Sequence, residues 1–219
     1  MFDANCLKLM FVAGSQDFYH IKGGKNDRIN ALLDTLELAL KSKITAFQFR
    51  QKGDLALQDP TQIKQLALKC QKLCQKYGVP FIVNDEVQLA LELKADGVHV
   101  GQEDMAIEEV ITLCKKCLFI GLSVNTLEQA LKVRHLDGVA YLGVGPIFPT
   151  PSKKDKQVVG VELLKKIRDS GVKKPLIAIG GITMHNASKL REYGGIAVIS
   201  AITQDRDKAL AVGKLLNNA

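Results

Sequence analysis

Three stretches of the chain hold residue types able to handle phosphate and a metal ion. The first is Gln48-Phe49-Arg50-Gln51-Lys52-Gly53. Arg offers a planar fork that matches two phosphate oxygens, and Lys adds a compact point charge. The second is Asn84-Asp85 with Asp104. Two carboxylates near cations suit Mg²⁺, which binds through one or two carboxylates and completes its shell with water and substrate phosphate. The third is Pro146-Ile147-Phe148-Pro149-Thr150-Pro151-Ser152-Lys153-Lys154-Asp155-Lys156, the longest connection without apolar periodicity. It holds three of the six prolines together with hydroxyls and three lysines. Long connections in compact domains are functional or disordered, and Thr150, Ser152 and Lys153 are the donors a phosphate wants.

These stretches are held by alternating elements. Apolar, β-branched runs occur at Leu7–Ala13, Ile44–Phe49, Pro80–Val83, Gly97–Val100, Leu118–Leu122, Val139–Val144, Pro175–Ile179 and Gly195–Ile199. Segments of helical period lie between them, at Asp27–Lys41, Thr61–Tyr77, Val87–Leu93, Met105–Cys114, Thr126–Val133, Val161–Asp169, His185–Tyr193 and Asp205–Leu216. Such alternation predicts βαβ units and a parallel sheet. Eight units in 219 residues leave about 27 residues each, the spacing of a compact (β/α)8 TIM barrel of the α/β class. Runs such as Phe81-Ile82-Val83 are apolar at successive positions, as strands covered on both faces must be. The expectation is a single catalytic domain over 1–219.

In a closed barrel the C-terminal strand ends converge on one face. Here those ends carry Arg50 and Lys52, Asn84 and Asp85, Gly101 to Asp104, Ser123, Gly145 onward, Gly180-Gly181 and Ser200. Any one of them, Ser123, Asp85 and Ser200 above all, could be a helix cap or turn residue. Seven polar ends with two carboxylates and two cations are harder to explain as caps. Period-2 alternation puts Gln48 and Arg50 on one face. A buried Arg needs a carboxylate or an anionic ligand, so a barrel-closing ion pair is the alternative to phosphate. His99 in Gly97-Val98-His99-Val100 reads as a strand histidine satisfied by its neighbours rather than as a general base. Ile179-Gly180-Gly181-Ile182 and Val198-Ile199-Ser200-Ala201 end strands seven and eight, where barrels bind phosphate with backbone N–H groups. Two anion sites follow: a metal-assisted one near strands two to four and a metal-free one at strands seven and eight.

Composition narrows the classes. With 47% hydrophobic and 24% charged residues the chain is ordinary globular material. It has no apolar run of about 20 residues able to span a bilayer. No signal peptide is read at the start, so the expected location is cytoplasmic. Thirty basic against twenty-three acidic residues give +7, a mild bias that fits solvated helix faces or a positive mouth for phosphorylated small molecules. Aromatics are 5% with no Trp, too few for a single-strand nucleic-acid platform. Five Cys make a disulfide framework improbable. Cys70 with Cys74 and Cys114 with Cys117 could be drawn as a zinc site, but both pairs lie in helix-like segments and read as packing. The expected partners are small-molecule substrates, with neither nucleic acid nor membrane; homo-oligomer formation is compatible with the sequence.

The ordered blocks QFRQKG, FIVNDEVQLAL, ADGVHVGQED, GLSVNT, YLGVGPIFPTPSKKD, AIGGI and VISAI resemble the thiamine phosphate synthase family, the thiamine-phosphate pyrophosphorylases, from Phe47 to Ile202. The resemblance implies a (β/α)8 barrel transferase of thiamine biosynthesis that joins a hydroxymethylpyrimidine diphosphate to a hydroxyethylthiazole phosphate, releasing pyrophosphate with Mg²⁺ as cofactor. Carried over by position, it implies pyrimidine-diphosphate contacts at Gln48, Phe49, Arg50, Gln51, Lys52, Asn84, Ser123 and Lys153, with Arg50, Lys52, Ser123 and Lys153 catalytic. It implies Mg²⁺ ligands at Asp85 and Asp104, and a thiazole-phosphate site at Thr150, Pro151, Ser152, Gly181, Ile199 and Ser200. A related barrel, the thiazole tautomerase, needs no diphosphate; Arg50, Lys52, Asp85 and Asp104 together point to the synthase. Two departures stand out: Ser152 replaces the family's second Thr, and the first strand's LMFVAGSQ differs from the usual start ending in Thr-Asp.

Overall fold

A computed structural model describes residues 2–114, 117–150 and 157–218. Eight parallel strands close into a barrel in sequence order: β1 (Leu9–Ala13), β2 (Ala46–Phe49), β3 (Phe81–Asn84), β4 (Gly97–Val100), β5 (Phe119–Val124), β6 (Val139–Val144), β7 (Leu176–Ile179) and β8 (Gly195–Val198). Around them lie α1 (Lys25–Lys41), α2 (Pro60–Tyr77), α3 (Val87–Leu93), α4 (Ile107–Cys114), α5 (Leu127–Lys132), α6 (Gly160–Asp169), α7 (Ser200–Thr203) and α8 (Lys208–Asn218). The expected (β/α)8 architecture is present.

Two elements differ from the sequence reading. The segment His185–Tyr193 holds a 3-10 turn at Ala187–Leu190 in place of a full helix. Its Asn186 carbonyl side chain accepts from Thr183 N–H, and its amide donates to Gly181 O, so the backbone is diverted into a tight turn. The last helical segment is split: α7 begins at Ser200, directly after β8, and α8 follows at Lys208. A short extra helix after strand eight is a recurrent phosphate-site device in barrels.

Local chemistry explains the ends of the elements. Helix α2 starts on Asp59, whose carboxylate accepts from Thr61 and Gln62 N–H, with Pro60 at the first helical position. It stops at Gly78 in the left-handed region, φ 66°. Its inner face carries Leu66, Ala67, Cys70 and Cys74, all buried. Burial pushes both thiols far up from the usual range, so neither is a ready thiolate. Cys114 is buried as well, and Cys117 is exposed.

Alternation along the strands builds two cores. Leu9, Phe11, Phe47, Phe49, Phe81, Val83, Val98, Leu142 and their neighbours face outward, between barrel and helices. Met10, Val12, Ala46, Ile82, Tyr141, Ile177 and Ala197 fill the barrel interior. Interior positions nearer the C-terminal ends turn polar, beginning with buried Gln48 and His99. That change of layer is where the packed core becomes a site.

Candidate active site

The end of β1 braces the end of β2. After Ala13 the chain makes a 3-10 turn, Ser15–Phe18. Asp17 Oδ2 accepts from Gly14 N–H and from Gln16 Nε2, both at 2.8 Å. Gln16 Nε2 also donates to Arg50 O at 2.7 Å, and Arg50 N–H donates to Ala13 O. A side chain at Gly14 would collide with Arg50 O, so glycine is what lets the two strand ends meet. Burial raises the Asp17 carboxyl to about 6, against the opposing pull of the Gly14 N–H and the Arg50 charge.

This gives a pH signature. The folded carboxyl holds its proton above the unfolded value of 3.8, so folding is favoured at low pH and loses stability as pH rises toward 6. Between about pH 4.5 and about pH 7.5 the loss from Asp17 is about 2 kcal/mol. Asp17→Asn is expected to remove it: urea unfolding at the two pH values should show the variant gaining that amount relative to wild type. A pH-independent difference would contradict the assignment.

Beyond Arg50 the cation and carboxylates converge. Lys52 Nζ donates to Asp85 Oδ2 at 2.8 Å and lies 3.8 Å from Asp104 Oδ1. Asp85 has φ 64°, a left-handed conformation rare for a side-chain-bearing residue. It is held there by Asp85 N–H donating to His99 O and Val87 N–H donating to Asp85 O. Asp104 Oδ2 accepts from Gly101 N–H at 2.7 Å. Burial raises Asp85, and its hydrogen bond with Asp104 divides proton affinity unequally between them. On Asp104 burial also raises, but the Asp85, Gly101 and Lys52 contacts outweigh it and hold this carboxyl low. The Asp85 hydrogen bond raises Lys52.

Two carboxylates against one ammonium leave net negative charge. A partly exposed ion pair of this kind adds little stability, so its use lies elsewhere. An all-oxygen donor pair fits a hard divalent cation. Among the described residues no group of three or more His, Cys, Asp or Glu side chains gathers to hold a metal. Were Mg²⁺ held here, Asp85 and Asp104 would be its protein ligands, with water and substrate completing the shell.

On the other side of Arg50 lies a partly enclosed pocket. Its wall includes Gln48, Arg50, Thr150, Gly181, Ile199 and Ser200, with Val12, Ile179 and Ile182 as its apolar lining. Ile199 and Ser200 lie at the start of α7. The preceding connection is pinned here: Ile147 N–H donates to Ile179 O and Phe148 N–H to Gly180 O. Gly180 (φ 100°) and Gly181 (φ 64°) are required by this approach, since a Cβ at either would strike Pro146 or the Phe148–Pro149 backbone. The glycines thus admit the loop as well as opening the pocket.

Among the sequence-derived residues, the structure brings Gln48, Arg50, Thr150, Gly181, Ile199 and Ser200 together, with Lys52 beside Arg50 in an adjoining groove. Asp85 and Asp104 meet at Lys52, and Asn84 ends β3 next to them. Ser123 lies within β5, not after it, and its hydroxyl reaches His99 Nε2 at 2.9 Å. Phe49 and Gln51 are turned away by strand alternation. Phe49 packs in the outer core, and Gln51 Oε1 accepts from Ser15 Oγ and Leu57 N–H. Pro151, Ser152 and Lys153 lie outside the described residues, as do 154–156. Unforeseen from sequence are Gln16 and Asp17, whose Gly-x-x-Asp turn was the available signal, and Tyr141, two positions before Gly143 on one face of β6.

Fold and site together define a class: a (β/α)8 barrel whose mouth gathers Arg50, Lys52 and a pair of carboxylates beside a glycine-lined pocket. The sequence model of the thiamine monophosphate synthase family matches residues 18–202. A thiamine-phosphate synthase of Helicobacter pylori (strain ATCC 700392 / 26695) is 94% identical over 219 residues, all of both chains. One from Pasteurella multocida (strain Pm70) is 53% identical over 216 residues, covering 97% of this chain and 96% of its own. Among solved structures, a thiamine phosphate pyrophosphorylase from Pyrococcus furiosus superposes with a TM-score of 0.82 at 34% identity, covering 98% of this chain and 96% of that one. The chain belongs to the thiamine monophosphate synthase family.

Proposed function

We propose that the chain is a thiamine phosphate synthase, a transferase that joins a 4-amino-2-methyl-5-hydroxymethylpyrimidine diphosphate to a 4-methyl-5-(2-hydroxyethyl)thiazole phosphate. The bond between the pyrimidine methylene carbon and the diphosphate oxygen breaks, the thiazole nitrogen bonds to that carbon, and pyrophosphate leaves. The observation that carries this is the position of Arg50 in the walls of two adjoining anion sites. Lys52, near the Asp85–Asp104 pair, lines one of them and Gly181 the other, while Ile199 and Ser200 line both. The reading treats 1–219 as one catalytic domain acting in the cytoplasm.

The roles proposed are those the family resemblance implies. Arg50, Lys52, Ser123 and Lys153 bind the diphosphate and stabilise the charge that grows on the departing pyrophosphate. Gln48 and Asn84 orient the pyrimidine. Gly181, Ile199 and Ser200, with Thr150 to Ser152, anchor the thiazole phosphate so that its nitrogen faces the methylene carbon. Asp85 and Asp104 would hold Mg²⁺, which when bound offsets negative charge on the diphosphate oxygens. Arg50 and Lys52 surround the leaving group with fixed positive charge before reaction, so no side chain needs to attack carbon; the electron-rich aminopyrimidine carries the cation left behind.

The test is product formation. Incubating the protein with both substrates and Mg²⁺ should give thiamine monophosphate by mass spectrometry, and omission of either substrate should give none. Absence of product from the complete mixture would overturn the proposal.

A further inference from the structure

Within the barrel, below the pyrimidine side of the mouth, one hydrogen-bonded chain runs across three strands. The register pairs His99 with Gly121 and, past an irregularity between Ile120 and Gly121, pairs Gly121 with Tyr141. Gly121 therefore lies between an imidazole and a phenol. A Cβ there would strike both rings, and a Cβ at Gly143 would press on His99 Cε1. Two glycines thus make the slot in which His99 spans from β4 to β6. His99 Nδ1 lies 2.9 Å from Tyr141 OH, and Nε2 lies 2.9 Å from Ser123 Oγ. The histidine and the tyrosine are both buried; Ser123 is half-buried, at the layer where the interior opens.

The buried phenol needs an acceptor for its proton, and His99 Nδ1 at 2.9 Å is in reach. When Nδ1 accepts, Nε2 carries the imidazole proton and donates it to Ser123 Oγ. With its oxygen so engaged, the serine hydroxyl has its own proton free to donate outward. We propose that His99, locked by Tyr141 as the Nε2–H tautomer in the Gly121–Gly143 slot, is a positioning residue that aims the Ser123 hydroxyl proton at a diphosphate oxygen of the substrate. His99 itself touches no substrate in this account; it acts through Ser123. Without it the hydroxyl would rotate among several acceptors, and the contact would no longer be preset for the charge that develops on the leaving group.

The inference rests on the Ser123 role given above, and its test separates the two. Steady-state kinetics are measured for wild type, Ser123→Ala, His99→Ala, Tyr141→Phe, His99→Gln and the His99→Ala/Ser123→Ala double variant. Loss of one aimed hydrogen bond is expected to lower kcat about ten-fold in Ser123→Ala and His99→Ala, with the KM for the thiazole phosphate unchanged. Tyr141→Phe keeps ring and volume, so it reports the same loss even where His99→Ala folds poorly. His99→Gln retains one donor and one acceptor on a planar amide and should recover kcat to within about three-fold of wild type. The double variant should be no slower than Ser123→Ala, because His99 acts only through that hydroxyl. Full additivity in the double variant, or His99→Gln as slow as His99→Ala, overturns the positioning role while the Ser123 assignment stands. A fully active Ser123→Ala overturns both, and a wild type that makes no product overturns the functional reading itself.

Discussion

Asp85→Asn is expected to lower turnover on the order of 1,000-fold at limiting Mg²⁺, with little change in the unfolding midpoint. The amide keeps the shape of the side chain and an oxygen for Lys52, and Asn tolerates the left-handed backbone that this position adopts at φ 64°. What is lost is one of two carboxylate charges, of which Lys52 balances only one. Stability should hardly respond, since the ion pair is partly exposed and exposed pairs contribute little. Activity should respond strongly and should recover in part as Mg²⁺ is raised. Near-wild-type turnover at limiting metal would show that Asp85 is no ligand.

Arg50→Ala is expected to reduce kcat/KM for the pyrimidine diphosphate by about 100- to 1,000-fold. Arg50 belongs to the walls of both anion sites, and among the described residues no carboxylate forms an ion pair with it. Its backbone is fixed by Ala13 O and by the Gln16 amide, so the guanidinium is carried on a rigid base and left for a ligand. Arg50→Lys should recover only a fraction, because a point charge cannot reproduce a bidentate fork. Recovery of full activity by Lys would reduce the role of Arg50 to simple charge.

The barrel itself was legible because its period is strong. All eight strands fall within the apolar runs or within two residues of them, and the convergence of polar strand ends followed from that alone. The Gln48–Arg50 alternation pointed correctly toward the mouth. The same alternation, followed one residue further, places Phe49 and Gln51 on the other side, in the outer core and under the loop after β2. The resemblance to a family names a continuous stretch; the pleat of a strand divides it.

Contacts across strands were not legible. Tyr141 reaches His99 because the β5–β6 register shifts between Ile120 and Gly121, and no periodicity in either strand announces such a shift. His99 is satisfied by its neighbours, as a strand histidine should be, but the identity of those neighbours depends on register and on two missing Cβ atoms. The Gln16–Asp17 brace depends on a contact between two strand ends, Gln16 Nε2 to Arg50 O, 34 residues apart in the chain. The segment His185–Tyr193 is reduced to a 3-10 turn for a local reason, the Asn186 side chain competing for backbone partners.

The central claim is that two anion sites sharing Arg50 hold two substrates at once for one bond exchange. Its most direct test is pyrophosphate release followed in real time, with the pyrimidine diphosphate and Mg²⁺ present and the thiazole phosphate added last. The account predicts no sustained release before that addition and, after it, one pyrophosphate for each thiamine monophosphate formed. Steady release without the thiazole phosphate, or release unaffected by its addition, would contradict it.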